Sequence, residues 1–125
     1  VQARLFYETT GALSDNIAPP AKFAAFNANI GEGDAKQPAN DLLITVILKS
    51  DKKDVVVKSP MFLMIRDKKK DKVIVSRKFD MLFFKEQTLA KALYVPDASC
   101  FGAVEIVAVF EGRKIVHPLE LNCGE

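Results

Sequence analysis

Cys100-Phe-Gly-Ala-Val-Glu-Ile-Val-Ala-Val-Phe110 runs into Glu111-Gly112 and then Arg113-Lys-Ile-Val-His-Pro-Leu-Glu-Leu-Asn-Cys123. Two apolar, β-branched runs flank a two-residue turn whose glycine supplies positive φ, the strongest short-range signal for a β-hairpin. A turn that sets Phe110 opposite Arg113 carries the register outward until Cys100 lies opposite Cys123. Both cysteines then share one face of the sheet. By alternation the pair is hydrogen-bonded, with Cα atoms about 5.5 Å apart, inside the window for a disulfide. The sequence therefore predicts a Cys100–Cys123 bond. Closing a loop of about 24 residues stabilises the fold by about 3 kcal/mol in the chain-entropy model. No C-x-x-C spacing is present, so the pair reads as structural rather than redox-active. An even cysteine count at matched positions points to an oxidising compartment, periplasmic or extracellular.

The same pattern assigns faces. Val104, Ile106, Ala108 and Phe110 lie opposite Leu119, His117, Ile115 and Arg113, and this is the expected core face. Pro118 has no N–H for a ladder, so the last strand is expected at an edge or a bulge. Working back along the chain, strands are predicted at Ala3–Glu8, Asp41–Lys49, Val55–Lys58 with Met61–Arg66, Lys72–Phe79 and Leu89–Val95. Leu42-Leu-Ile-Thr-Val-Ile-Leu48 is apolar at nearly every position and reads as a central strand covered on both faces. Seven to eight short strands in 125 residues predict a single all-β domain, a two-sheet antiparallel sandwich. A partly open barrel is the competing architecture.

In outline, the strand count and the cysteine-flanked hairpin resemble bacterial envelope β-sandwiches of immunoglobulin-like or transthyretin-like type. The chain departs from antibody-type domains in having no Trp, and its cysteines flank adjacent strands rather than joining two sheets. The likeness implies architecture and carries no specific function.

Composition excludes more than it selects. A net charge of +2 gives no basis for nucleic-acid or membrane-surface binding, and no apolar stretch reaches the roughly 18 residues of a membrane span. No signal peptide is visible before Val1-Gln-Ala-Arg. His117 is the single histidine and reads as structural, which removes most histidine-based catalysis. Lys68-Lys-Lys-Asp-Lys72 is interrupted by acids and reads as a solvated hairpin tip. No nucleophile elbow, metal triad or cofactor fingerprint occurs, so no cofactor and no enzymatic activity are expected.

Three features remain as candidate sites. The connection at about residues 9–40 is long, and its Phe23 and Phe26 either plug one end of the sandwich or meet a partner. Within it Asn29, Glu32 and Asp34, together with Asp41, form a loop rich in oxygen ligands, a weak calcium candidate. Asp80-Met-Leu-Phe-Phe-Lys85 breaks alternation, so Met81, Phe83 and Phe84 mark either a bend between sheets or an apolar contact patch. The leading expectation is a non-catalytic periplasmic or secreted module. It would bind a protein partner through end loops or an exposed strand edge near Asp80–Lys85 or Arg113–Leu121. The alternatives are a small-ligand or calcium carrier using the loop at 27–41 and, ranked last, a carboxylate-based hydrolase.

Overall fold

The computed structural model describes residues 1–16, 25–26 and 38–122. Among these there is no helix, and ten strands follow in order: β1 (Gln2–Tyr7), β2 (Ala25–Phe26), β3 (Ala39–Lys49), β4 (Val55–Val57), β5 (Met61–Asp67), β6 (Lys72–Phe79), β7 (Leu82–Phe84), β8 (Thr88–Val95), β9 (Gly102–Phe110) and β10 (Arg113–Asn122). One sheet has the order β1-β3-β8, a second β2-β10-β9-β5-β6, and a third is the ribbon β4-β7. All pairings are antiparallel except the short β2–β10 contact. The arrangement is a sandwich that does not close into a barrel.

Period-two alternation produces the core. Ala3, Leu5 and Tyr7 of β1 and Leu42, Ile44, Val46 and Leu48 of β3 face Met61, Leu63 and Ile65 of β5 and Val104, Ile106 and Ala108 of β9. Fully burying a side chain of this kind contributes about 1.5–3 kcal/mol relative to exposure. The expectation that Leu42–Leu48 is covered on both faces does not hold. β3 is central in its sheet, but only one face is buried; Leu43 and Thr45 are half-buried, and Ile47 is 48% exposed.

The β9–β10 hairpin has the register read from the sequence. Phe110 pairs with Arg113, and the ladder continues without a break to Gly102 opposite Leu121. Glu111 and Gly112 have φ of 48° and 77°, the two positive values of a type I′ turn. Cys123 lies outside the described residues, as do Phe23, Asn29, Glu32 and Asp34. Phe26 is described only through its backbone pairing with Asn122.

Two crossovers account for the small sheet. The chain passes from β3 to β5 through β4, and returns from β6 to β8 through β7; these two passages pair with each other. The break in alternation at Asp80–Lys85 is therefore a switch between sheets. Within β7, Leu82 and Phe84 turn into the core while Phe83 turns outward.

The exposed edges are blunted. Ser14 Oγ accepts the Leu5 N–H and Asn16 Oδ1 accepts the Ala3 N–H, both at 2.8 Å, so side chains cap the outer edge of β1. On the opposite flank Arg77 donates to the Ala92 carbonyl at 2.9 Å and stacks 4.4 Å from the Phe79 ring centroid, tying β6 to β8. At the tip between β5 and β6, Asp67 Oδ1 accepts the Lys69 and Lys70 N–H groups, and Arg66 pairs with Asp71. The lysine run is thus an ordered polar turn.

The hairpin turn can be tested directly. A Cβ at Gly112 would meet no atom within 4 Å, so only its positive φ opposes substitution. Gly112→Ala is expected to lower stability by about 1 kcal/mol. Glu111→Asn, which suits a type I′ turn, is expected to raise it by about half that amount. Urea denaturation of both variants with unchanged m-values checks the pair.

Candidate functional site

A groove lies between the sheets beside the second half of β3. Gln2 pairs with Thr45, so β1 covers β3 only from Ala39 to Thr45. Beyond that point an open groove of about 630 Å³ lies between the sheets, with walls at Val46–Lys49 on one side and Arg113 and Ile115 on the other. Met61, Ala108 and Phe110 lie beneath it and Glu111 stands at its end.

Both walls direct backbone groups away from the strand they pair with on their other side. The N–H groups of Ala3, Leu5 and Tyr7 point away from β3, to Asn16, Ser14 and Ala12. By alternation, Gln2, Arg4 and Phe6 make the ladder bonds to Thr45, Leu43 and Asp41. Continuing along β3, the N–H and C=O of Ile47 and Lys49 point to this same side, past the end of β1. The even-numbered residues bond towards β8, as the Ser50 N–H to Gln87 carbonyl bond at 2.8 Å confirms. On β10 the Phe110–Arg113 turn pair fixes the opposite phase, so Lys114 and Val116 direct their N–H and C=O outward. Among the described residues β2 covers β10 only at Leu121 and Asn122, and Pro118 sits in the uncovered stretch, as expected of an edge.

Charge and apolar surface are arranged around this opening. Ile47 and Ile115, 48% and 46% exposed, flank it. Lys49 and Arg113 stand on opposite walls, and among the described residues neither forms an ion pair. Ser59 Oγ reaches Glu111 Oε2 at 3.5 Å, which connects the β4–β5 link to the hairpin turn. Farther along the same flank, burial holds the His117 imidazole below its usual range. His117 pairs with Ile106 across the ladder and is half-buried; of the β10 residues expected on the core face, Leu119 is buried whereas Ile115 and Arg113 are exposed.

The other candidate residues separate. Phe84 is 2% exposed and belongs to the core, which corrects its assignment to a contact patch; Phe83 at 47% and Met81 remain on the surface, beside Val56. Asp41 has both oxygens engaged, Oδ2 by the Tyr94 hydroxyl and Oδ1 by the Asp97 N–H at 2.9 Å. Among the described residues no three His, Cys, Asp or Glu side chains are grouped so as to hold a metal. The Arg113–Leu121 edge was legible in the sequence.

Two outcomes are expected. Phe84→Glu places a charge in the core and should cost more than about 3 kcal/mol, whereas Phe83→Glu should stay within about 0.5 kcal/mol of the parent in urea denaturation. The hydrogen bond to Asp41, followed by burial, raises the Tyr94 phenol above its usual value of 10.0. That contribution to stability is complete below pH 10 and is lost as pH climbs through the raised value. Asp41→Asn should move the phenol's ultraviolet titration midpoint back down.

No helix among the described residues is long and apolar enough to cross a membrane. Searches of protein-family models, curated proteins and solved structures return no match to this chain.

Proposed function

We propose that this chain is a non-catalytic β-sandwich module of the periplasm or extracellular space, immunoglobulin-like or transthyretin-like in type. It binds another protein through an exposed strand edge, that of β10 at Arg113–Leu121. The observation that carries this reading is the outer edge of β10, which among the described residues pairs with β2 only at Leu121 and Asn122. The outer edge of β1 is capped by the side chains of Ser14 and Asn16. The edge of β10 beside exposed Ile115 has no such cap among the described residues, and strand edges are a recurrent mode of protein recognition.

The compartment follows from the proposed Cys100–Cys123 bond. It draws on the register observed as far as Gly102–Leu121; Cys100 itself lies just before the ladder, in the turn closed by the Phe101 N–H to Ala98 carbonyl bond at 3.1 Å. Intact mass of native-source protein, alkylated without reduction, should show no added alkyl groups. Two alkylated thiols would withdraw the compartment assignment.

Site-specific photo-crosslinking tests the binding surface. A photoreactive residue at Ile115 or Val116 is expected to give one shared adduct in the native source, and the same probe at Lys69 none. Ile115→Glu in the Val116 probe protein should reduce the adduct at least fivefold while leaving the urea midpoint unchanged. Equal labelling from Ile115, Val116 and Lys69 would contradict the assignment.

A further inference from the structure

We infer that the outward face of the β1-β3-β8 sheet is self-complementary, and that two copies of this chain pack on it face to face, their β3 strands antiparallel about a twofold axis at Thr45. The inference goes beyond the partner reading above and uses the other sheet from β10. On β3 the outward side chains are, in order, Asp41, Leu43, Thr45, Ile47 and Lys49, while the residues between them are buried. From Thr45 in either direction the order is an aliphatic side chain and then a charge, negative at one end and positive at the other.

Two identical sheet faces can meet about a twofold axis that runs along the strands or across them. An axis along β3 would stack Asp41 on Asp41 and Lys49 on Lys49. An axis across the strands instead sets Asp41 over Lys49 of the second copy, Leu43 over Ile47 and Thr45 over Thr45. The neighbouring strand agrees. Thr45 pairs with Ala92, so the same axis sets Ala92 over Ala92, and Tyr94, 48% exposed, over Ala90. The one outward ring of β8 thus meets a methyl group. Asp41 is held in place by the Tyr94 hydroxyl and by the Asp97 N–H at 2.9 Å, and Phe6 packs edge-on against the Tyr94 ring with centroids 6.5 Å apart. Lys49 at the other end is exposed and forms no ion pair among the described residues. Leu43 and Ile47 lie on the face of β3 that no described strand covers, and the second copy covers them. From Asp41 to Lys49 this face is about 27 Å long and, at three strands, about 14 Å wide. An interface of that size is small, so the dimer is reversible and its population rises with concentration.

Sedimentation equilibrium from micromolar to millimolar concentration, with thiol cross-linking, tests the arrangement. The chain is expected to pass from monomer to dimer. Lys49→Glu, at the surface, should weaken the dimer at least tenfold and Lys49→Arg less than threefold, with the urea midpoint unchanged in both. Facing sheets lie about 10 Å apart, so cysteines set over one another are within reach of a short bismaleimide, whereas the two copies of position 43 stand about 14 Å apart along the strands. Thr45→Cys should therefore link to itself at least tenfold faster than Leu43→Cys or Ile47→Cys does. Mixing the last two should restore the link, and mapping the joined peptides separates these links from any through Cys100 or Cys123. A chain that stays monomeric at every concentration would overturn the inference, as would a dimer indifferent to Lys49→Glu. Equal self-linking at all three positions would put the axis along the strands, and a dimer dissolved by Ile115→Glu would move the interface to β10; either result contradicts it. The adduct from Ile115 in the native source decides the partner reading separately, because Lys49→Glu is expected to leave that adduct unchanged.

Discussion

The type I′ turn at Glu111-Gly112 is the constraint on which the rest of the sandwich depends. It pairs Phe110 with Arg113, and that one pairing decides which residues of β9 and β10 face inward. A slip of one residue would turn Val104, Ile106 and Ala108 to solvent and bring Glu105 into the core. β5 pairs with β9 along its whole length, so the same register sets Met61, Leu63 and Ile65 against the opposite sheet. The turn also fixes the phase of the outer edge of β10, directing the backbone of Lys114 and Val116 towards the uncovered flank.

The two long edges differ in how they are finished. Ser14 and Asn16 close the outer edge of β1 by accepting the Leu5 and Ala3 N–H groups. The outer edge of β10 pairs with β2, among the described residues, only at Leu121 and Asn122, so Lys114 and Val116 direct their backbone groups outward beside exposed Ile115.

Much of this was legible in the sequence, and the limits are physical. Alternating apolar residues located the long strands, because burial of one sheet face imposes period two. The hairpin register was legible because a two-residue turn permits only one continuation. Residues 81–84 were ambiguous because four successive apolar side chains carry no phase; the pairing Val56–Phe83 resolved it, sending Phe84 inward. Leu42–Leu48 was misread as doubly covered, since Leu43 and Ile47 lie on a face that no other described strand covers. The groove was invisible for a related reason. Strand lengths can be read from one chain, but the offset between non-local strands is set by tertiary packing.

Amide hydrogen exchange along β10 tests the hairpin register and its open edge most directly. Ile115 and His117 bond to β9 and are expected to exchange slowly, while Lys114 and Val116, directed outward, exchange at least a hundredfold faster. The opposite alternation would mean a register shifted by one residue, and uniform protection would mean that the edge is covered and is not a binding surface.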